Sequence, residues 1–301
     1  MIKKIKISVP GCIGNIGSGF DCMGLSIRLF NDFIFEKSKD FSVSVTDPDI
    51  EGDDKNLCLK VFIESCRILN KDVPPVHIDI KNNIPVGRGL GSSGTAVLAG
   101  VIAGFIFSNK KIEPVQVLRI GKTFEGHLDD LAPSLLGGLV IIAENNGMPI
   151  WKKMEIPEEI KGVFFISEKP FKTKKAREIL PEKVSLKDAV YNISRACFIP
   201  SGFLEKNRKL LIIGTDDRLH QIYRKKLYAH FDPLYRVAIS VGAAGCCLSG
   251  AGPSVVAFCF DDHKKIVNAW AKLIKTENIK GYIRVISLGG KARWKILEKT
   301  E

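Results

Sequence analysis

Residues 85–96 read Pro-Val-Gly-Arg-Gly-Leu-Gly-Ser-Ser-Gly-Thr-Ala: three alternate glycines, two serines, then an apolar run. Such a segment can hold an anion. Glycines let consecutive backbone N–H groups approach a charged oxygen, and a helix opening near Ser92 adds the positive end of its dipole. The hydroxyls of Ser92, Ser93 and Thr95 can donate to phosphate oxygens or help hold Mg²⁺. Other loop chemistries fail on residue type. A Walker A loop ends in Gly-Lys-Ser/Thr, and this stretch has no lysine. A nucleophile elbow built on Ser93 needs glycine where Thr95 stands. Gly89 to Gly94 fits a dinucleotide fingerprint formally, but the next segment reads as a helix where a strand ending in an acid is required. Two further glycine stretches, 9–21 and 248–254, suggest backbone converging on one ligand pair.

The elements that must carry these loops follow from periodicity. Alternation predicts half-buried strands over 41–45 and 76–80. Helical spacing covers 57–69, with Asn56 placed to cap it, and also 92–107 and 115–124. Residues 137–142 read as a turn into a strand. The pattern loosens over 149–159, so two domains are expected, 1–155 and 156–301. The second half predicts a strand at 162–167 and helices at 186–204, 209–216 and 234–241. A strand at 255–258, a helix at 262–274 and a strand at 282–287 complete it.

Composition narrows the class. The chain has 301 residues, 45% apolar and 26% charged, as ordinary soluble proteins do. The longest mostly apolar run, 94–107, is too short to span a bilayer, and no signal peptide follows the basic start, so a cytoplasmic protein with no membrane partner is expected. None of the eight cysteines forms a CxxC pair, and residues such as Cys66, Cys197 and Cys259 sit in apolar company, which predicts buried free thiols. The net charge of +12 fits either nucleic-acid binding or a lysine-rich surface around a small-anion site. The densest basic cluster, 169–177, contains one aromatic residue and no RNA-binding or helix-turn-helix signature, which favours the small anion over nucleic acid.

At its three glycine stretches the sequence resembles the GHMP kinases, whose central Gly-Leu-Gly-Ser-Ser motif is met at Gly89 to Ser93. Residues 125–133 followed by Gly137-Gly138, together with 173–181 and 217–224, look like the homoserine kinase branch. The resemblance covers nearly the whole chain. It implies a two-domain α+β GHMP kinase fold: a domain like the second domain of ribosomal protein S5, with a left-handed βαβ crossover, then a ferredoxin-like domain. It implies transfer of phosphate from ATP, with Mg²⁺, to the hydroxyl of L-homoserine in threonine biosynthesis, by a homodimer.

Residue by residue, the resemblance implies Arg177 and Arg224 on the substrate carboxylate and Asp21, with Asn15 beside it, on the ammonium. It implies Pro85, Gly87, Arg88, Gly89, Leu90, Gly91, Ser92, Ser93 and Thr95 around the phosphates. Asn56 would face the adenine, a position that helix capping explains as well. Ser93 and Glu125 would hold Mg²⁺, and Asp129 and Asp130 would stand at the reacting hydroxyl. Two departures stand out. Asp130 occupies the place of the family's usual asparagine, where a carboxylate could act as a general base, bind a second cation or repel the incoming phosphoryl group. The amino-terminal motif, usually Pro-Ala-Ser/Thr-x-Ala-Asn, reads Pro10-Gly11-Cys12-Ile13-Gly14-Asn15. Alternatives are another GHMP kinase, for mevalonate-type or sugar substrates, or a basic nucleic-acid-binding protein that retains the fold.

Overall fold

The computed structural model describes residues 2–47, 50–52, 55–171 and 173–299; the side chains of Thr173 and Lys174, in the 173–181 motif, lie outside the described set. The first half runs β1 (Ile2–Gly14), β2 (Met23–Lys37), β3 (Ser42–Val45), α1 (Leu57–Ile68), β4 (Val76–Lys81), α2 (Ser92–Phe107), α3 (Pro114–Glu125), α4 (Leu131–Leu136), β5 (Leu139–Asn145) and β6 (Met148–Met154). The second half runs β7 (Lys161–Ser167), α5 (Thr173–Glu178), α6 (Leu186–Ala196), α7 (Phe198–Leu204), α8 (Arg208–Gly214), α9 (Gln221–Arg224), α10 (Phe231–Ser240), β8 (Gly245–Leu248), β9 (Val255–Cys259), α11 (His263–Thr276), β10 (Gly281–Ser287) and β11 (Arg293–Lys299).

Alternation builds the first sheet. Ile5, Ile7 and Val9 of β1 and Phe33 and Phe35 of β2 all point inward and are buried. The sheet has seven strands, ordered β11-β1-β2-β4-β3, with β5 pairing β2 and β6 pairing β5. β3 lies parallel to β4, and α1 crosses between them. Helix α2 is buried along nearly its whole length because Gly100 and Gly104 let α1 close on it; a Cβ at Gly104 would lie 2.6 Å from Ser65 Cβ. That burial fixes α2, and so fixes its amino-terminal end at the glycine loop.

The second sheet is antiparallel, ordered β10-β7-β9-β8. Its first and third strands are central and its fourth and second are at the edges, the ferredoxin-like arrangement that the resemblance implies. β11 then leaves this half and pairs with β1 in the first sheet. The 155/156 division falls in the link between β6 and β7. No helix among the described residues is long and apolar enough to cross a membrane.

Three differences from the sequence reading have physical reasons. The 186–204 helix is two helices, α6 and α7, meeting at Cys197, because Pro200 has no N–H to offer the carbonyl four residues back. Cys197 is consequently exposed, contrary to expectation; all eight cysteines are free. Pro10 lies inside β1, tolerated because the β1–β2 register shifts between Pro10 and Cys12.

Candidate active site

The three glycine stretches converge. Gly87, Gly89 and Gly91 have φ of +68°, +74° and +76°, a region glycine enters without penalty. A Cβ at Gly89 would stand 2.2 Å from the Ser249 carbonyl oxygen. Ser249 Oγ donates to the Gly89 carbonyl at 2.7 Å, Gly250 N–H to the Gly14 carbonyl at 3.2 Å, and Cys12 N–H to the Leu90 carbonyl at 3.1 Å. The carboxy-terminal glycine stretch therefore braces the central loop from behind.

Helix α2 starts at Gly91 with no side-chain cap, and its first backbone bond is Thr95 N–H to the Gly91 carbonyl. The N–H groups of Ser92, Ser93 and Gly94 precede that bond and have no partner within the helix. They stand at a cleft of about 590 Å³ whose walls include Asn56, Gly87, Ser92, Ser93 and Phe171. Phe171 N–H donates to the Gly87 carbonyl at 2.8 Å, so the segment after β7 closes one side.

Several side chains expected at the phosphates do other work. Leu90 is buried in the core and offers only backbone. Thr95 is fully buried; its hydroxyl donates to the Ser92 carbonyl at 2.7 Å and accepts from Asn31 Nδ2 at 2.9 Å. Arg88 donates to the carbonyls of Val86, Ser167 and Glu168, tying the loop to the end of β7. Pro85 lines a separate hollow beside Tyr282. Asn56 caps α1: its Oδ1 accepts from Cys58 and Leu59 N–H and its Nδ2 donates to the Glu51 carbonyl, and the residue lines the cleft. Asn31 was missed. Its Oδ1 accepts from Asn83 and Ile84 N–H, so it joins the loop's approach to the start of α2. The signal was a polar residue in the inward register of Phe33 and Phe35.

The acidic turn packs on the sheet floor. Gly14 and Gly24 face each other across β1 and β2. A Cβ on Gly14 would lie 2.4 Å from Asp130 Oδ1 and 2.8 Å from Asp129 Oδ2, and one on Gly24 would lie 2.0 Å from the Asp129 carbonyl oxygen. Glu125 ends α3 before the left-handed Gly126. Its Oε1 is buried without a hydrogen-bond partner among the described residues, as is Asp129 Oδ1. His127 Nδ1 lies 2.9 Å from Asp129 Oδ1, an ion contact whose angle does not make a hydrogen bond. Burial opposes charge on His127, but the surrounding carboxylates of Asp129, Asp130 and Glu125 outweigh it and lift the ring to about 9. Burial first, then the charge of Asp129, pushes Asp130 up to about 7. No group of three or more acidic, histidine or cysteine side chains among the described residues has metal-ligand geometry. Mg²⁺ needs no such cage, since it keeps waters and takes one or two carboxylates plus phosphate oxygens. The orphaned Glu125 oxygen fits that requirement.

The raised Asp130 value carries a prediction. The folded state holds this proton above the unfolded carboxyl value near 3.8, so ionisation costs stability progressively from about pH 4 to 7. Asp130→Asn removes the cost. Its melting temperature should exceed that of the unmodified chain by about a few degrees at pH 8, and the gain should shrink toward pH 4. Paired melting curves at the two pH values check it; a gain independent of pH would contradict the assignment.

At the other end of the site, residues 15–21 turn sharply, with Asn15 and Asp21 at φ +68° and +54°. Asn15 Oδ1 accepts from Asp21 N–H at 2.9 Å. Arg177 pairs bidentately with Asp21 at 2.8 and 2.9 Å, so the two groups expected at opposite ends of a substrate face each other. Arg224 is buried. Its Nε donates to the Ala176 carbonyl at 3.2 Å and its Nη1 to His220 Nδ1 at 3.1 Å, while its Nη2 has no partner among the described residues. His220 Nε2 donates to the Gly17 carbonyl at 2.8 Å, which leaves Nδ1 as the acceptor and the ring neutral. Burial lowers the His220 pKa in the same direction. Phe20 stacks on His220 at 5.1 Å, and both arginines lie over its ring within 5.7 Å. Asp217 accepts from the N–H groups of Leu219, His220 and Gln221 and so holds this segment. Phe20, His220 and Asp217 escaped the sequence reading as site residues, although His220 and Asp217 lie in the 217–224 motif.

The descriptions GHMP kinases N terminal domain and GHMP kinases C terminal match residues 56–138 and 199–276. A homoserine kinase of Aquifex aeolicus is 37% identical over 272 residues, 90% of this chain and 92% of that relative. One of Caldicellulosiruptor saccharolyticus is 32% identical over 97% of this chain and 92% of the relative. The crystal structure of a homoserine kinase from Cytophaga hutchinsonii superposes with a TM-score of 0.86 at 25% identity, covering 98% of each chain. A mevalonate kinase structure at 18% identity and TM-score 0.70, over 95% of this chain and 99% of that one, shares the fold.

Proposed function

We infer the reaction from one premise: this chain belongs to the GHMP kinase family. The reaction is transfer of the γ-phosphoryl group of ATP to the side-chain hydroxyl of L-homoserine, giving O-phospho-L-homoserine and ADP. The observation that carries it is the two-ended site. Gly14 is the floor of the Asp129–Asp130 turn, and the next residue, Asn15, shapes the turn that presents Asp21 to Arg177. An amino acid with a terminal hydroxyl has the charges to match: a carboxylate for Arg224 and Arg177, and an ammonium for Asp21.

The N–H groups of Ser92, Ser93 and Gly94, which have no partner within the helix, receive phosphate oxygens and need no reorganisation as charge shifts toward the bridging oxygen. Mg²⁺, held by Glu125 and the exposed Ser93 hydroxyl, would supply charge neutralisation on the phosphates. Asp130 accepts the hydrogen bond of the attacking hydroxyl and orients it. Asp129, paired with His127, keeps the turn in place. Since phosphoryl transfer through a loose transition state draws little help from a base, Asp130→Asn should hold turnover within about tenfold. The same reading makes the enzyme a cytoplasmic homodimer acting on small molecules, with neither nucleic acid nor membrane as partner.

ADP release, measured with Mg²⁺ and ATP over homoserine, threonine, serine, mevalonate and galactose, tests the assignment. Homoserine should be turned over far faster than mevalonate or galactose; equal or faster turnover of mevalonate removes the assignment to homoserine.

A further inference from the structure

We infer that Cys12 is a positioning residue, whose thiol sets the spacing between the phosphate loop and the Asp130 carboxyl. The inference rests on the homoserine-phosphorylating reading of this site and adds to it a residue that neither holds a ligand nor touches a reacting atom. Cys12 is fully buried in β1, directly after the register shift at Pro10, opposite Ser26 of β2. Three contacts meet on it. Its N–H donates to the Leu90 carbonyl at 3.1 Å. Its Sγ lies where a Cβ on Gly91 would be only 2.7 Å away, so the sulfur packs against the residue that starts α2. The same Sγ donates to the Asp130 carbonyl at 3.2 Å and to Asp130 Oδ1 at 3.3 Å. One side chain thus touches the loop that takes the phosphates and the carboxyl that takes the hydroxyl.

A nucleophilic or redox role does not fit these surroundings. The reactive form of cysteine is the thiolate, which is favoured by cations and partial exposure. Here burial, then the charge of Asp130, pushes the thiol well above its ordinary value, so it remains a hydrogen-bond donor. A donor shared between the backbone and the side chain of Asp130 restricts the carboxyl's rotation. A long C–S bond also fills the space under Gly91 that a smaller side chain leaves open. Misplacing reacting groups by a fraction of an ångström acts on turnover while leaving each ligand's own contacts intact.

Three variants separate positioning from packing. Cys12→Ser keeps a donor, Cys12→Val keeps bulk without a donor, and Cys12→Ala keeps neither. Cys12→Ala and Cys12→Val should each lower kcat about tenfold, with KM for ATP and for homoserine within about twofold of the unmodified chain. Cys12→Ser should recover most of the loss. A second reading needs no turnover: the Asp130 carboxyl, followed by carbon-13 NMR, should titrate at higher pH in the alanine and valine variants and return toward the original value in the serine variant. If Cys12→Ala or Cys12→Val keeps both kcat and the Asp130 titration, the inference falls. A serine variant that loses turnover as the alanine variant does, while the valine variant retains it and the titration is unmoved, overturns it as well, because packing alone then explains the site. A chain that never phosphorylates homoserine removes the parent reading instead, and the titration series still decides whether the thiol holds Asp130.

Discussion

Glu125→Gln should lower kcat by roughly 10²–10³-fold, raise the Mg²⁺ concentration needed for half-maximal rate, and leave the protein more stable than before. The combination follows from one atom. Oε1 of Glu125 is buried with no hydrogen-bond partner among the described residues, close before the turn that carries Asp129 and Asp130. A carboxylate oxygen buried without a partner costs free energy, and the nearby carboxylates add repulsion. A fold retains such a group where something outside the chain pairs with it, and a hard divalent cation between carboxylate and phosphate oxygens is the natural candidate. The amide keeps the shape, removes the charge and relieves the repulsion, so stability and activity move in opposite directions. Thermal melting without nucleotide and a Mg²⁺ titration of the rate are the two measurements. If melting temperature and activity fell together, Glu125 would be a structural residue and the cation would need another ligand.

How much of this site was legible in the sequence depends on which part of each residue is used. Backbone roles were readable in part: glycine permits the positive φ found at Gly87, Gly89 and Gly91, and the helix start near Ser92 followed from the pattern. Side-chain roles within the same loop were not. Thr95, Leu90 and Arg88 belong to the motif, yet tertiary partners distant in sequence claim them: Asn31, the core and the end of β7. The helices and short strands with clear periodicity appear where the pattern puts them, except that Pro200 divides the helix expected over 186–204. β8, Gly-Cys-Cys-Leu, is buried on both faces and shows no alternation to detect. β1 was hidden because it runs through Pro10 and Gly11, residues that read as a loop until the bulge between Pro10 and Cys12 is seen. β11 pairs with a strand almost three hundred residues away, as in Ile2 opposite Lys299, and nothing local announces that partner. The neutral, acceptor-bearing His220 is a property of its neighbours, Gly17 and Arg224.

That neighbourhood makes Arg224 the more consequential of the two arginines. Arg224→Leu should raise KM for homoserine at least about 30-fold, the loss of a charge-assisted pair with a carboxylate costing about 2–5 kcal/mol, while KM for ATP stays within about twofold. Two of its three nitrogens are already committed, to Ala176 and His220, so the guanidinium plane is fixed before a ligand arrives, and Nη2, which has no partner among the described residues, would bind with little loss of side-chain freedom. Arg177 differs. It is about half exposed and held by Asp21, and a substrate must separate that pair before using either member. Arg177→Leu frees Asp21 as it removes the cation, so its effect should be the smaller. Arg224→Lys discriminates charge from geometry: an ammonium keeps the charge but cannot bond Ala176, His220 and a carboxylate in one plane. It should therefore recover only part of the affinity. Steady-state kinetics with each substrate varied in turn provide the test. Should the ATP constant rise and the homoserine constant hold, Arg224 belongs to the nucleotide, and the two-ended reading of the site loses its carboxylate end.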